Sequence, residues 1–167
     1  MAAEARRFGL DTPLLETAAS SDGPGATYTE LPYAASRGLV VPDREYKLRI
    51  KAGPWHDGDT ANTSIGQGYL RTSPLHMASF AASLARGETR TVPTIIHDPA
   101  RDGRHRGSTP IGLNKAQLDA IRGGMVRCVE EGTGRSAHIQ GLPIAAKTGT
   151  SEYFKKGEKA HLAWMIG

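Results

Sequence analysis

The sequence predicts a fold that combines α-helices with an antiparallel β-hairpin. Two segments, residues 73–87 and 114–131, carry apolar side chains at helical spacing between residues that favour helix ends. A third segment, residues 143–167, contains two strand-like runs separated by a charged loop. These patterns together predict an α/β (α+β) chain in which helices flank an antiparallel sheet.

The first predicted helix is marked at both ends by residue type. Ser73 can cap its N-terminus, Pro74 suits the first helical position, and Gly87 can close the C-terminus. The apolar stripe between them, from Leu75 to Ala85, is rich in alanine. So many small side chains predict close packing against another element.

The second predicted helix begins at Asn114 or Lys115 and ends near Glu131, where Gly132 stops it. Its buried face is expected to hold Leu118, Ile121, Met125 and either Cys128 or Val129. Cys128 is therefore interpreted as a small core residue rather than as a reactive thiolate.

The last segment predicts an antiparallel hairpin. Its first strand is expected at residues 143–147 and its second at residues 161–167, with a turn at Thr148 to Thr150. A charged tip, residues 151–160, would connect the two. The second strand is expected to be still running where the sequence stops.

The first part of the sequence carries a weaker pattern. Ala3 to Gly9 predict the end of a helix closed by a left-handed glycine, so the chain is expected to open inside a helix. Residues 10–62 contain five prolines and little periodicity, which predicts few regular elements. One exception is a short strand expected at Tyr46 to Lys51, where apolar and basic residues alternate.

Composition argues against several classes of protein. The net charge is +4, but the basic residues are scattered and not interleaved with aromatic residues, so nucleic-acid binding is not predicted. The single cysteine rules out an internal disulfide, and no apolar run reaches the roughly 20 residues of a membrane span. The six histidines lack metal-ligand spacing, so neither a metal nor a cofactor is predicted.

Asp57 and Asp59 could pair for acid–base chemistry, but in a glycine-containing loop they are interpreted as turn formers.

The run Lys147-Thr148-Gly149-Thr150 has the composition of a carboxylate receptor. A lysine ammonium attracts a carboxylate, and threonine hydroxyls donate directional hydrogen bonds to it. Gly149 would let an extended ligand pair with the strand edge, and the N–H of Thr150 could point at a developing oxyanion. A Lys-Thr-Gly run alone is more often a solvated turn, so its interpretation depends on the surrounding sequence.

Five runs in the surrounding sequence follow one another in an order typical of one family. They are Trp55 to Asn62 (WHDGDTAN), Thr63 to Ala78 (TSIGQGYLRTSPLHMA), Gly124 to Gly134 (GMVRCVEEGTG), Ala145 to Thr150 (AAKTGT) and His161 to Trp164 (HLAW). On these runs the chain resembles the class B penicillin-binding proteins, especially the elongation-type peptidoglycan D,D-transpeptidases. The likeness extends from Arg7 over nearly the whole chain.

The resemblance implies a fold and a set of site residues. The fold would be that of penicillin-binding proteins and β-lactamases, with residues 1–167 forming part of one transpeptidase domain. Lys147, Thr148, Gly149 and Thr150 would bind the terminal carboxylate of a substrate peptide. Lys147 would also be a catalytic group, and the N–H of Thr150 would form part of the oxyanion hole.

The chain departs from the family pattern at its nucleophile. The family carries Ser-x-x-Lys and Ser-x-Asn motifs, whereas no serine here has lysine three positions later or asparagine two positions later. Ala146 also stands where the family usually has glycine. The chain is therefore expected to be part of a transpeptidase domain, without the upstream motifs or the last strand and helix, and to be inactive alone.

The resemblance further implies a reaction and partners. The complete enzyme would crosslink cell-wall stem peptides through a serine acyl-enzyme and would bind β-lactams, without a cofactor or nucleic acid. Its partners would be the peptidoglycan stem peptide, the remainder of the transpeptidase domain and cell-wall elongation proteins. It would be anchored in the inner membrane with this domain in the periplasm. An alternative of another class is a non-catalytic module that binds carboxylate-terminated peptides.

Overall fold

The computed structural model describes residues 2–11, 39–87, 89–91, 93 and 109–167. In these ranges the chain forms five α-helices, one 3-10 helix and a two-stranded antiparallel sheet, which confirms the predicted combination. In chain order the elements are α1 (Ala2–Arg7), α2 (Arg44–Arg49), α3 (Asp57–Ser64), α4 (Pro74–Arg86), α5 (Lys115–Glu130), the 3-10 helix (Arg135–Ala137), β1 (Lys147–Lys155) and β2 (Glu158–Ile166). None of the helices in these ranges is long and apolar enough to cross a membrane.

The short helix α1 ends as predicted. Gly9 has a φ of 72°, and its N–H donates to the carbonyl oxygen of Arg6 at 2.8 Å. The guanidinium of Arg6 in turn donates to the carboxylate of Asp43 at 2.5 Å and to the carbonyl oxygen of Val41 at 3.2 Å. These bonds connect α1 to the segment that precedes α2.

Both ends of α4 follow the sequence prediction. Ser73 is extended and its Oγ accepts a hydrogen bond from the N–H of His76 at 3.3 Å, while Pro74 opens the helix. Gly87 closes α4 in the left-handed conformation, with a φ of 80°. A Cβ on Gly87 would lie 2.5 Å from Cδ2 of Leu118, so glycine also permits the close approach of α5.

Removal of the N-terminal cap tests how much this helix end contributes to stability. Ser73→Ala leaves the N–H of His76 without its side-chain acceptor, so we expect the free energy of unfolding to fall by about 1 kcal/mol. Urea denaturation followed by circular dichroism measures the loss. Ser64→Ala removes an exposed hydroxyl at the end of α3 and should change stability by less than about 0.5 kcal/mol. Equal losses in the two variants would contradict the capping role.

The helix α5 also has the predicted bounds. Its N-terminus carries a reciprocal cap, because Asn114 Oδ1 accepts from the N–H of Gln117 at 2.9 Å and Gln117 Oε1 accepts from the N–H of Asn114 at 3.0 Å. Leu118, Cys128 and Val129 are buried, as the sequence predicted for this face.

Ile121 does not belong to the buried face, so that part of the prediction was wrong. Its side chain is 38% exposed. The packed stripe instead includes Arg122, whose guanidinium donates to the carbonyl oxygens of Leu84 and Ala85, each at 2.7 Å. Those carbonyls end α4, where a cation is favourable, and a charged side chain therefore takes a position on the packed face.

The apolar core is centred where α4 and α5 meet. Leu84, Ile111 and Leu118 are 3%, 1% and 8% exposed. The partly buried side chains that pack against them are Phe8, Phe80, Leu113 and Met125. The rings of Phe8 and Phe80 meet edge to face with centroids 4.8 Å apart, which ties the end of α1 to α4.

The segment predicted as a short strand at Tyr46 to Lys51 is instead part of the helix α2 and the turn after it. Asp43 caps this helix, since its Oδ1 accepts from the N–H of Tyr46 at 2.7 Å. So short an alternation of apolar and basic residues fits either a strand or a helix of one or two turns. The capping carboxylate decides in favour of the helix.

The helix α3 lies in a region where few elements were predicted. Asp57 and Asp59, which were interpreted as turn formers, are in its first turn. The carboxylate of Asp59 accepts from the N–H of His56 at 2.7 Å and from Nζ of Lys47 at 2.6 Å. Lys47 is only 5% exposed, so this ion pair joins α2 to α3 below the surface. Residues 12–38, for which few elements were also predicted, lie outside the described residues.

The strands β1 and β2 form the predicted hairpin, but the turn lies elsewhere. Residues 148–150, predicted as a turn, are inside β1, and only the last of residues 143–147 belongs to the strand. The turn consists of Lys156 and Gly157, whose φ values are 53° and 85°. Two successive positive φ values give a turn whose twist matches that of the flanking strands, so the hairpin closes there.

Candidate functional site

The tetrad Lys147–Thr150 opens β1, and its side chains alternate between the two faces of the hairpin. Gly149 lies opposite Trp164, and Thr150 lies opposite Ala163. The first and third residues of the tetrad therefore share the face of Trp164, whereas the two threonines share the face of Ala163. The predicted site residues are adjacent in the structure, but they do not form one cluster of side chains.

The edge of β1 that faces away from β2 brings the polar groups together. The carbonyl oxygen of Thr150 accepts from Nε2 of Gln67 at 2.9 Å, and the N–H of Glu152 donates to Oε1 of Gln67 at 3.3 Å. In an antiparallel strand the N–H and C=O of one residue point to the same side, and alternate residues repeat the pattern. The backbone N–H of Thr150 therefore also points away from β2. We call this side of residues 147–152 the free edge.

Lys147 places its charge on the free edge. Its exposed side chain bends back so that Nζ donates to the carbonyl oxygen of Thr148 at 2.5 Å. The ammonium is thereby held at Thr148, two positions before Thr150 along the strand. A cation and a backbone N–H on the same edge can receive the two oxygen-bearing groups at the end of a peptide, its carboxylate and its last carbonyl.

The two threonine hydroxyls of the tetrad differ in their availability. Oγ1 of Thr148 lies 2.5 Å from Oγ1 of Thr133, so this hydroxyl already has a partner on the turn that follows α5. The side chain of Thr150 is exposed. Of the two hydroxyls, that of Thr150 is therefore the one open to a ligand.

Cys128 bonds to the start of β1 at Thr148, on the edge that faces away from β2. It is a buried, free cysteine whose Sγ lies 3.8 Å from Oγ1 of Thr133. Hydrogen bonds, first of all from the backbone of Thr148, lower the pKa of the Cys128 thiol below its usual range, although burial acts in the opposite direction. The cysteine is thus a buried packing residue, as predicted, and it also ties α5 to the tetrad.

A cavity of about 240 Å³ lies beside the tetrad, on the face that carries Lys147. Leu70, Met77 and Trp164 contribute apolar walls. The hydroxyl of Thr72 also lines the cavity and has no hydrogen-bond partner among the described residues. The face of β1 therefore borders a largely apolar space, while its edge is polar.

Gln67 is the residue of this site that sequence reasoning missed. The bond from its carboxamide to Thr150 joins residues 83 positions apart. Gly66 and Gly68 flank it, and both have positive φ, 77° and 73°. A single polar side chain between two glycines is a local signal of a shaped loop, although it does not reveal what the side chain contacts.

The helices, the hairpin and the lysine-bearing strand edge together have the architecture of part of a penicillin-binding transpeptidase domain. The chain belongs to the family described as the penicillin binding protein transpeptidase domain, whose profile matches residues 36–167. Within this family it is of class B, the group that contains the peptidoglycan D,D-transpeptidases, as the sequence predicted.

Individual relatives support this assignment. The peptidoglycan D,D-transpeptidase MrdA of Acinetobacter baumannii is 32% identical over 134 residues, which cover 75% of this chain and 19% of that protein. Pseudomonas aeruginosa PBP2 in complex with WCK 5153 matches with a TM-score of 0.59 at 26% identity, covering 89% of this chain and 32% of that one. Helicobacter pylori PBP2 in complex with MreC shares the fold, with a TM-score of 0.65 at 24% identity over 98% of this chain and 28% of that one. The chain spans about a fifth of the length of the curated relatives it matches.

Proposed function

We propose that the free edge of β1 binds the carboxylate-terminated end of an extended peptide as part of a peptidoglycan D,D-transpeptidase reaction. The observation that carries this proposal is the juxtaposition, on one edge, of the Lys147 ammonium and the backbone of Thr150. Family membership supplies the class of reaction. The peptide would be a cell-wall stem peptide that ends in D-alanyl-D-alanine.

The peptide would bind as an additional strand. In antiparallel orientation its C-terminus runs toward Lys147, whose ammonium attracts the terminal carboxylate. The N–H of Thr150 then donates to the preceding carbonyl oxygen and stabilises the negative charge that develops there when the carbonyl carbon is attacked. The exposed hydroxyl of Thr150 can donate to the same carboxylate, and Gly149 keeps side-chain atoms out of the way.

The chain supplies the receptor for this reaction but not the nucleophile. No serine stands in a Ser-x-x-Lys motif, so we infer that another segment of the transpeptidase domain provides the attacking serine. Its Oγ would bond to the carbonyl carbon, and the terminal D-alanine would leave with the proton on its amine. An amine of a stem peptide on a neighbouring peptidoglycan strand would then take the acyl group and restore the serine hydroxyl. A β-lactam would acylate the same serine and remain attached.

Labelling with a fluorescent penicillin, followed by intact-mass measurement, tests whether the reactive serine lies outside this chain. The chain alone should keep its mass, whereas the chain joined to the Ser-x-x-Lys and Ser-x-Asn segments of a class B transpeptidase should gain one adduct. An adduct on the chain alone would show that one of its own serines reacts. No adduct on the joined protein, if that protein is folded, would remove the proposed role of the tetrad.

A second candidate function is a non-catalytic module for carboxylate-terminated peptides. It is favoured by one observation, namely that the Lys147 ammonium and the backbone of Thr150 lie on one edge of β1 within this chain. The two candidates differ in the joined protein, where only the first leads to a covalent adduct.

Loss of the ammonium should weaken peptide binding in either case. We expect Lys147→Ala to raise the dissociation constant of N-acetyl-D-alanyl-D-alanine by about tenfold, since a charge-assisted hydrogen bond to the carboxylate is removed. Titration of the ¹⁵N-labelled chain, followed by amide chemical shifts, gives the constant. Lys156→Ala removes the same charge from the exposed turn and should leave binding nearly unchanged. Equal weakening by both substitutions would point to unspecific attraction.

The setting of the reaction is part of the same proposal. The H. pylori PBP2 structure is a complex with MreC, and we infer that a cell-wall elongation protein is also a partner of the complete protein to which this domain belongs. We further infer that the domain works on the periplasmic side of the inner membrane. Co-purification of the complete protein with such a partner, and its release from membranes only by detergent, are the expected results.

A further inference from the structure

The carboxamide of Gln67 occupies the part of the free edge that an incoming peptide needs. We propose that Gln67 is a specificity-determining residue that competes with the backbone N–H of the peptide for the carbonyl oxygen of Thr150. The inference rests on the proposed function, because it concerns peptides that bind along the same edge.

The contacts of Gln67 imitate those of a neighbouring strand. Nε2 donates to the carbonyl oxygen of Thr150 at 2.9 Å, and Oε1 accepts from the N–H of Glu152 at 3.3 Å. One side-chain amide therefore satisfies a C=O and an N–H that face away from β2, as the backbone of a paired strand would. Toward Lys147 the edge is also occupied. The N–H of Ala146 donates to the carbonyl oxygen of Met125 at 3.2 Å. The backbone of Thr148 bonds to Cys128 and to Nζ of Lys147. Among the described residues, the N–H of Thr150 is therefore the group of the free edge that is left for a peptide.

The register of antiparallel pairing makes the competition specific. When two opposed residues form a hydrogen-bonded pair, each N–H donates to the carbonyl oxygen of the other residue. If the N–H of Thr150 donates to the carbonyl of the penultimate residue of the peptide, the N–H of that residue arrives at the carbonyl oxygen of Thr150. Nε2 of Gln67 is already there. In the proposed competition, a peptide with this N–H displaces the carboxamide from the position that a paired strand would take, whereas a ligand that ends before this N–H does not.

The loop that carries Gln67 is shaped to hold it in place. Gly66 and Gly68 both adopt positive φ, which sets the path of the chain on either side of the glutamine. The loop follows α3, whose first turn is fixed to α2 by the ion pair between Asp59 and Lys47. The glutamine is thus presented by a fixed backbone, and its displacement breaks the side-chain contact without unfolding an element.

Two ligands of different length separate the effect of Gln67 from general binding. N-acetyl-D-alanyl-D-alanine has the N–H of the penultimate residue. N-acetyl-D-alanine keeps the carbonyl at that position in its acetyl group, but a methyl group replaces the Cα and the N–H. In the ¹⁵N-labelled chain, the longer ligand should shift the side-chain amide resonances of Gln67 and the N–H resonance of Glu152, and the shorter one should not. Gln67→Ala should bind the longer ligand about two- to tenfold more tightly, the factor that corresponds to one neutral hydrogen bond, and the shorter one unchanged. Gln140→Ala, in an exposed turn, is the matched control and should alter neither constant.

The outcomes distinguish this inference from the proposed function. If the longer ligand shifts the resonances of Lys147 to Thr150 but not those of Gln67, or if Gln67→Ala binds it no more tightly, Gln67 does not compete and the inference is overturned. If neither ligand shifts the resonances of the tetrad in the natural chain or in Gln67→Ala, the free edge is not a peptide site. The proposed function is then overturned, and the inference about Gln67 is overturned with it.

Discussion

Replacement of Leu84 by alanine is expected to lower the free energy of unfolding by about 3 kcal/mol. Leu84 is 3% exposed and packs with Ile111 and Leu118 where α4 meets α5. Truncation removes its burial and leaves a cavity that the surrounding helices fill only in part. Urea denaturation of the chain, followed by circular dichroism, measures the loss.

The same substitution on the surface is the control for this experiment. Leu48 lies in α2 and is 62% exposed, so Leu48→Ala should change the free energy of unfolding by less than about 0.5 kcal/mol. A loss at Leu84 no larger than that at Leu48 would show that α4 and α5 do not hold the core. The substitution should also affect the site, because α4 contacts β2 and Cys128 of α5 bonds to the backbone of Thr148.

Replacement of Asp59 by asparagine is expected to lower the melting temperature by at least about 5 °C. Nζ of Lys47 lies 2.6 Å from the carboxylate of Asp59. The side chain of Lys47 is only 7% exposed. Asparagine keeps the size of the side chain but leaves the ammonium without a counter-charge. Asp57→Asn makes the same change two residues away, in the exposed part of the same helical turn, and should lower the melting temperature by only about 1 °C or less.

The ion pair should also appear in the pH dependence of stability. The hydrogen bond from Lys47, and after it the N–H of His56, hold the pKa of Asp59 below its ordinary value of 3.8. Because the pKa of the folded state is the lower one, the contribution of the carboxylate is fully present above the ordinary value. It is lost as the pH falls through the folded-state pKa. The difference in melting temperature between the natural chain and Asp59→Asn should therefore shrink as the pH falls below about 3.8. A difference that stays constant over this range would mean that the carboxylate is not the stabilising group.

Elements with chemical signals at both ends were predictable from the sequence. Ser73, Pro74 and Gly87 each favour one position at a helix end, and they mark α4 correctly. Asn114 does the same for the start of α5. Such residues act through bonds to their immediate neighbours, so the local sequence carries the necessary information.

The errors arose where a short pattern allowed two structures. The alternation at Tyr46 to Lys51 suited a strand, but the carboxylate of Asp43 had an N–H to accept only if a helix followed. The turn was predicted at Thr148 to Thr150, around Gly149, but these residues belong to β1. The pair Lys156 and Gly157 is better suited to a hairpin turn. In both places the deciding residues lie outside the short segment that carries the pattern: Asp43 precedes residues 46–51, and Lys156 and Gly157 follow residues 148–150.

The site was predictable in part. The tetrad was found because its residue types suit carboxylate binding and because the runs around it resemble one family. The role of Gln67 was not found, since it depends on a contact across 83 positions that only the folded chain brings together. The engagement of Thr148 with Thr133 was missed for the same reason, although only 15 positions separate them.

The two-residue turn at Lys156 and Gly157 determines which residues of the two strands stand opposite each other. It sets the pairing of Lys155 with Glu158, and each pair back to Lys147 and Ile166 then follows by counting. The pairing of the tetrad with β2 is therefore determined at Lys155, roughly 27 Å away along the strand from Lys147. Gly157 cannot be exchanged freely, because its φ of 85° favours glycine, whereas the exposed residues beside the turn can change with little consequence. The insertion or deletion of one residue in the turn would change the partner of every position along β1.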